Sequence, residues 1–274
     1  MEEIVRLWKD IRRLIDEKLD EVLTGISETA LVNAARYTVS GGKRFRGFLT
    51  IMVARELGGR IEDALDAAVA VELVHAASLA LDDIIDADVF RRGKPAAWVT
   101  LGVSKAVMTA NLLVPYAQKI ILQKYGSYAL ERTVEAWLKT SQGEALDAFA
   151  PKADYLTVAR LKTGALFRLA AELGAIAARE GDSVVKLAGE YGEALGIAYQ
   201  IADDVVDLLA GVESPGANML VEWLGTIDPE AGIREAYRIA IQAAKLAEEL
   251  AGANTLLAEL PIFMVKTMLS ETKR

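Results

Sequence analysis

One segment limits the fold of this chain more than any other, because from Ile61 to about Asp86 its residues are apolar on every face of a helix. Only Glu72 and His75 interrupt the pattern near its middle. A helix that is apolar all round has to be enclosed by other elements at the centre of a large core. The 274 residues of the chain are enough to build such a core within a single domain.

Helical periodicity continues through almost all of the remaining sequence, and the alternation typical of strands is nearly absent. There are only six prolines, which favours an all-α protein. We predict one all-α domain over residues 1–274, because no linker divides the chain, and a loop over 211–229, where Gly and Pro are frequent. Besides the central helix, the predicted helices cover 1–22, a segment that ends before Gly41, Arg46–Leu57, and about 97–124, 127–149, 155–178, 182–210, 230–251 and 255–270.

Charge and cysteine content exclude several classes of function. The net charge is −8 and no extended basic stripe is present, so nucleic acid is not an expected partner. The absence of cysteine excludes disulfides and thiol catalysis. The amino terminus lacks the apolar core of a signal peptide, and the longest run without charge, between Lys105 and Lys119, has 13 residues. We therefore expect a cytoplasmic protein without a membrane span.

Two clusters of aspartates stand at the ends of strongly apolar helical segments, within LALDDIIDADVFRRGKP and YQIADDVVDLL. Their acidic residues are Asp82, Asp83 and Asp86 in the first cluster, and Asp203, Asp204 and Asp207 in the second. Asp82 and Asp86 share a helix face, where like charges repel unless a divalent cation bridges them, and oxygen ligands suit Mg²⁺. A single cluster would be explained more simply as a solvated helix surface. Two clusters, the first followed directly by Arg91-Arg92-Gly93-Lys94, favour a metal-bridged polyanion.

Basic residues near glycines form a second kind of motif. In SGGKRFRG, Gly41-Gly42 can end one helix, and Lys43 and Arg46 would then face an anion at the start of the next. A turn between helices that carries surface bases is a common alternative. LKTGALF places Lys162 and Thr163 near the start of an apolar helix.

Together these segments resemble the trans-isoprenyl diphosphate synthases, or polyprenyl synthetases, a family that includes geranylgeranyl and farnesyl diphosphate synthases. The resemblance covers about residues 36–210, in the order GGKRFR, ELVHAASLALDDIIDADVFRRGKP, QGEALD from Gln142, LKTGALF and GIAYQIADDVVD. It implies the isoprenoid synthase fold, a single-domain bundle of about ten to thirteen helices around a central apolar cavity. It also implies a homodimer.

The resemblance implies a role for each matching position. Asp82 and Asp86 would bind two of three Mg²⁺ ions and Asp203 the third, with Asp83 and Asp207 in support. An allylic diphosphate would be held by Arg91, Lys162, Thr163 and Gln200, and isopentenyl diphosphate by Lys43, Arg46, His75 and Arg92. The catalytic set would be Asp82, Asp86, Arg91, Lys162 and Asp203. Taken alone, His75 is more simply explained as a core histidine paired with Glu72.

The sequence also departs from the family pattern. Gly47 stands where the family often has Pro, and Leu81 where it often has His. The segment after Asp207 contains no lysine or arginine up to residue 229, although the family usually closes over the allylic diphosphate with lysines there. The loop would then be shortened, or diphosphate capture weaker, or the base would come from elsewhere, with Lys266 and Lys273 as candidates.

The expected reaction is a Mg²⁺-dependent condensation of isopentenyl diphosphate with an allylic diphosphate, with geranylgeranyl diphosphate as product. Ala77 and Ser78 are small enough for a long product, whose growth Met108, Leu112 and Leu113 could stop. Farnesyl diphosphate, products of C25 or longer, a terpene cyclase or head-to-head synthase, and a weakly active subunit of a heteromeric synthase remain alternatives. A di-iron bundle needs paired Glu-x-x-His motifs, which one histidine cannot supply.

Overall fold

The described residues of the computed structural model, 1–26, 29–150, 152–212 and 214–270, form twelve α-helices and almost no sheet. The helices are α1 (Glu2–Thr24), α2 (Thr29–Val39), α3 (Phe45–Glu56), α4 (Ile61–Ile85), α5 (Ala97–Leu101), α6 (Val103–Phe149), α7 (Tyr155–Ala159), α8 (Ala165–Ala177), α9 (Asp182–Ala210), α10 (Pro215–Leu224), α11 (Pro229–Ala251) and α12 (Leu256–Leu269). A π-helical turn, Arg160–Gly164, joins α7 to α8. The antiparallel pair β1 (Phe90–Arg91) and β2 (Lys94–Pro95) forms a small hairpin. The predicted all-α fold is confirmed.

Helix α4 lies at the centre of the bundle, as its uniformly apolar sequence predicts. It packs against α3, α6 and α8, and its middle residues, such as Val71 and Leu73, are fully buried. By length and composition it is the one helix in the described ranges that could cross a membrane, and 67 % of its most apolar window is buried inside the bundle. The apolar character of α4 is therefore accounted for by the protein core.

Helix α8 is held closely between α3 and α9 by two glycines. A Cβ atom at Gly174 would collide with the carbonyl oxygen of Thr50 on α3. A Cβ atom at Gly192 on α9 would collide with the carbonyl oxygen of Phe167 on α8. These close approaches fix the distance between α3, which carries basic residues, and α9, which carries the second acidic cluster.

Some predicted helix limits need correction. The helix predicted over 97–124 is two helices, because Gly102 adopts φ 82° between α5 and α6. The predicted break before residue 127 is present inside α6, where Gly126 adopts φ 83° and ψ −174°. The helix predicted over 155–178 contains the π-helical turn.

The loop predicted over 211–229 is wrong for its middle, which forms α10. The Ser214 side chain accepts a hydrogen bond from the Ala217 N–H group, Pro215 occupies the first turn, and Gly225 ends the helix at φ 66°. These are ordinary helix start and stop signals. The same Ser, Pro and Gly residues led to the prediction of a loop.

Candidate active site

Both acidic clusters lie at the carboxyl ends of long helices, where a helix dipole disfavours negative charge. Asp82 and Asp83 are buried in the last turn of α4, and Asp86 follows it as the C-cap residue. Asp203 and Asp207 lie in the last two turns of α9. Aspartates in these positions destabilise both helix ends, so the arrangement indicates a cation that offsets the charge.

A tight hairpin returns Arg91 to the first cluster. Arg92 and Gly93 form its turn with φ 54° and 72°, the left-handed backbone that two-residue hairpin turns require. Arg91 Nη2 lies 2.6 Å from Asp83 Oδ1 and 3.6 Å from Asp82 Oδ2. Burial and Asp82 raise the pKa of Asp83, whereas Arg91 opposes this shift. Asp83 is therefore engaged by Arg91, and its expected support of the metal would act through this pair.

Lys162, on the π-helical turn, is surrounded by carboxylates of α4 and α6. Its Nζ atom lies 2.9 Å from Asp82 Oδ1, 3.0 Å from Glu144 Oε2 and 2.5 Å from Asp147 Oδ2. Burial lowers the pKa of Lys162, but Asp82, Asp147 and Glu144 raise it by more, so the ammonium stays charged. A Cβ atom at Gly143 would collide with the Lys162 main chain, so glycine is needed for this close approach.

The same cluster can hold a cation. One carboxylate oxygen from each of Asp82, Asp86 and Glu144 lies within 4.8 Å of the other two. Burial and Asp82 raise the pKa of Glu144 to about 8, and its buried Oε1 atom has no hydrogen-bond partner in the described part of the chain. An all-oxygen group of this kind fits Mg²⁺. The segment QGEALD belongs to the family resemblance, which implies no role for Glu144 or Asp147.

The second cluster divides into an inward and an outward part. Asp204 is buried and accepts hydrogen bonds from Tyr155 Oη at 2.6 Å and Gln200 Nε2 at 3.0 Å. Burial, and after it Asp203, raise the pKa of Asp204 to about 8, whereas the hydrogen bonds from Tyr155 and Gln200 oppose this shift. Asp203 and Asp207 are only partly buried. Asp204 thus belongs to the packing of α9, whereas Asp203 and Asp207 are nearer the surface of that helix.

The π-helical turn connects the two clusters. Lys162 contacts Asp82 on α4, while the adjacent Thr163 donates a hydrogen bond from Oγ1 to Gln200 Oε1 on α9. Burial and then Asp204, Asp203 and Asp147 raise the pKa of Tyr155, so two carboxylates of the second cluster and the Asp147 partner of Lys162 act on one phenol. The two acidic clusters therefore border the same region, on either side of residues 160–164.

A basic group adjoins this region. Arg46 is buried, lies 4.5 Å from the Phe167 ring centroid, and places Nη1 3.0 Å from His75 Nε2. Burial lowers the pKa of Arg46 to about 10, and burial, Arg46 and Arg92 lower the pKa of His75 far below its usual value. A guanidinium can only donate, so neutral His75 accepts at Nε2 and carries its proton on Nδ1. Buried cations crowded in this way form a site for an anion.

Glu72 does not pair with His75, contrary to the simpler interpretation of that histidine. Glu72 Oε1 accepts a hydrogen bond from the Gly47 N–H group at 2.8 Å, and Glu72 Oε2 lies 3.5 Å from Arg44 Nη1. Proline at position 47 would have no N–H group to donate. The departure of Gly47 from the family pattern therefore has a local reason.

The remaining predicted residues are placed as follows. Lys43 Nζ lies 3.5 Å from Tyr199 Oη, and Arg92 Nη1 donates to Gly41 O at 3.1 Å. Lys266 is exposed and lines a surface groove between α1 and α12, and Lys273 lies outside the described residues. The described structure therefore does not locate a base that would replace the lysines expected after Asp207.

The residues predicted to limit the length of the product are only partly inside the protein. Ala77 and Leu113 are fully buried, and Leu112 packs against the main core. Ser78 is partly buried and donates a hydrogen bond to His75 O. Met108, however, is 55 % exposed. In a single chain Met108 cannot close an internal cavity, so it would need a second copy to cover it.

Comparison with known proteins identifies the family. The sequence profile described as "Polyprenyl synthetase" matches residues 28–220. The hexaprenyl pyrophosphate synthase of Saccharolobus solfataricus is 40 % identical over 204 residues, covering 74 % of this chain and 72 % of that protein. The geranylgeranyl diphosphate synthase of Methanosarcina mazei is 34 % identical over 214 residues, covering 74 % and 66 %. The chain belongs to the polyprenyl synthetase family.

A solved structure agrees with this assignment. The geranylgeranyl pyrophosphate synthetase of Geoglobus acetivorans matches with a TM-score of 0.82 and 26 % identity, over 94 % of this chain and 99 % of that chain. The expected family, the all-α isoprenoid synthase fold and the trans-prenyltransferase class of enzyme are confirmed.

Proposed function

We propose that this polyprenyl synthetase joins isopentenyl diphosphate to an allylic diphosphate and makes geranylgeranyl diphosphate as its main product. The observation that carries the proposal is that two carboxylate clusters flank residues 160–164, with a basic group beside them at Phe167. Asp82 is bound to Lys162, and Thr163 is bound to Gln200 on the opposite wall. A diphosphate bridged by metal ions needs this combination of acids and bases.

The allylic diphosphate would lie between α4 and α9. Asp82 and Asp86 would hold two Mg²⁺ ions and Asp203 a third, with Asp207 beside it. When bound, the ions supply Lewis acidity that withdraws the negative charge developing on the leaving diphosphate. Lys162 and Arg91 add fixed positive charge at the same place, and Thr163 and Gln200 would turn hydrogen-bond donors from their present acceptors toward the diphosphate.

Isopentenyl diphosphate would bind to the second basic group, Lys43, Arg46, His75 and Arg92. The pairing of His75 with Arg46 orients the guanidinium, and the left-handed turn at Arg92 directs that side chain toward Gly41. Two diphosphate sites favour elongation over cyclisation, because a cyclase binds only one diphosphate substrate.

The reaction breaks the C1–O bond of the allylic substrate, and both electrons leave with the diphosphate. The double bond of isopentenyl diphosphate then attacks C1 of the allylic cation. A proton leaves C2 of the added isopentenyl unit and is taken up by the released diphosphate. Apolar side chains around α4 keep water away from the allylic cation. The described residues therefore act by binding, charge stabilisation and exclusion of water.

Geranylgeranyl diphosphate is proposed as the product because small residues precede Asp82. Ala77 and Ser78 leave room for a chain beyond three isoprene units, and Leu112 and Leu113 border α4 from α6. The name of the Methanosarcina mazei relative agrees with this length. We also propose a homodimer, since Val99, Val103 and Met108 expose apolar side chains on α5 and α6.

A condensation assay tests the function. The purified chain is incubated with Mg²⁺, labelled isopentenyl diphosphate and each allylic primer from C5 to C20, and product lengths are measured. We expect incorporation into C20, and a loss of rate on the order of 10²–10³ in Asp82→Asn and Asp203→Asn. Asp10→Asn, an exposed aspartate on α1, is the matched control and should keep the wild-type rate. A folded wild-type chain that incorporates no label contradicts the proposal and favours a subunit of a heteromeric synthase.

A further inference from the structure

We propose that Glu144 is a further metal ligand of this enzyme, sharing one Mg²⁺ ion with Asp82 and Asp86. This inference rests on the proposed function, because the ion is one of those that would hold the allylic diphosphate. It assigns a third carboxylate, from α6, to a site whose two predicted ligands both come from the end of α4.

The positions of the oxygens support this assignment. The ligand atoms of Asp82, Asp86 and Glu144 lie within 4.8 Å of one another. Oxygens bound at about 2.1 Å around an octahedral Mg²⁺ ion lie at most about 4.2 Å apart. The three side chains would therefore need only small rotations to meet around one ion, with no movement of the helices that carry them.

The distribution of charge supports it as well. Asp82, Asp83, Asp86, Asp88, Glu144 and Asp147 form the acidic group, whose basic partners are Arg91 and Lys162. With all six carboxylates ionised, as metal binding would require, the excess of four negative charges equals the charge of two Mg²⁺ ions. Glu144 Oε2 is bound to Lys162, but Oε1 is buried without a hydrogen-bond partner among the described residues. A buried carboxylate oxygen in that state is available to a cation.

Lys162 fits beside the ion. Its ammonium contacts Asp82, Glu144 and Asp147 at once. When Asp82 and Glu144 become ligands, Lys162 keeps Asp147 and directs its remaining N–H donors at the diphosphate. Asp147 thus serves as the anchor of Lys162, whereas Glu144 serves the metal, and this difference can be tested.

The test measures Mn²⁺ binding to the substrate-free chain by electron paramagnetic resonance of the unbound ion. Glu144→Gln keeps the size of the side chain and removes its charge. We expect it to weaken the tightest Mn²⁺ site about tenfold or more. Asp147→Asn also removes a partner of Lys162 but no ligand, and should stay within about threefold of wild type. Glu135→Gln, an exposed glutamate on α6, controls for the change of charge.

The outcomes separate this inference from the proposed function. Wild-type affinity in Glu144→Gln overturns the inference, as does an equal loss in Asp147→Asn, even if the enzyme condenses its substrates. Tight Mn²⁺ binding lost only in Glu144→Gln, in a chain that incorporates no isopentenyl diphosphate, supports the ligand and contradicts the function. Should Glu144→Gln fail to fold, Glu144→Asp keeps the charge, retracts the oxygens and should weaken binding by a smaller factor.

Discussion

At the scale of single residues, the charged side chains of this site are placed where they destabilise the folded chain. Asp82 and Asp83 are buried at the negative end of α4, and Arg46 is buried beside Arg92. Among the described residues, Lys162 and Arg91 offset part of the charge of Asp82 and Asp83, and Arg46 lies against His75 and the face of Phe167. Metal ions and two diphosphates would complete the compensation, so substrate binding should also stabilise the protein.

His75, the single histidine, gives a direct test of the charge around the second basic group. Because burial, Arg46 and Arg92 hold its pKa far below that of an unfolded histidine, the folded chain should keep the imidazole neutral at pH 6.5, where an unfolded histidine is half protonated. The unfolded chain takes up a proton below about pH 6.5, so this residue makes stability fall as the pH falls below that value. Histidine NMR of the folded chain should show one imidazole that does not titrate.

The control for that measurement is the same chain in denaturant, where the imidazole should titrate near pH 6.5. His75→Gln should flatten the decline of unfolding free energy between pH 6.5 and pH 5. A folded-state midpoint near 6.5 would show that Arg46 and Arg92 do not crowd this side chain, and the basic group would lose its main support.

Single residues could be predicted from the sequence when a motif surrounds them. Lys162 and Thr163 were predicted through LKTGALF, and the structure brings them to opposite walls. Glu144 was missed because a glutamate on a long mixed helix has no spacing that marks it. Only the packing of α6 against α4 shows that it meets Asp82.

At the scale of elements, the π-helical turn decides the geometry of the site. Lys162 and Thr163 are adjacent in this turn and contact α4 and α9 respectively, so the conformation of residues 160–164 sets which wall each side chain meets. No sequence pattern distinguishes a π-helical turn from an α-helix, which is why the segment 155–178 was predicted as one helix. The hairpin at Arg91 was likewise not predicted, because it lies in a charged stretch of the sequence.

Gly143→Ala tests whether close contact of α6 with this turn positions Lys162. The added methyl group would meet main-chain atoms of Leu161 and Lys162, which cannot move aside separately from the turn. We expect a loss of about 1–3 kcal/mol in the free energy of unfolding and a lower rate of condensation. Chemical denaturation and the condensation assay measure the two effects.

The matched control lies in the same turn. A methyl group at Gly164 would have its nearest contact at 3.4 Å, an ordinary distance, so Gly164→Ala should cost little or stabilise the chain by up to about 1 kcal/mol. Equal stability losses at both positions would mean that the turn tolerates no substitution, and that the approach of α6 has no special importance.

At the scale of the whole molecule, the sequence predicted the architecture well because its main determinant is simple. A helix that is apolar on every face is expected at the centre of a bundle, and α4 lies there. The outer surface was harder to predict, since Met108 continues the apolar pattern of α6 but is exposed. Whether such a residue faces solvent, a product or a second copy depends on assembly, which one sequence does not specify.

Product length therefore depends on both the chain and its assembly. Leu112 packs against the core, so Leu112→Ala should open the path beside α4 and lengthen products by about one or two isoprene units. Met108→Ala should lengthen products only where a second copy covers Met108. Leu122→Ala removes an exposed leucine from the same helix and should leave the C20 product unchanged. Product chromatography with each primer, together with sedimentation of each variant, checks all three outcomes. Unchanged products from both Leu112→Ala and Met108→Ala would show that other residues limit the length of the product. Longer products from Met108→Ala in a monomeric protein would show that Met108 limits product length without a partner.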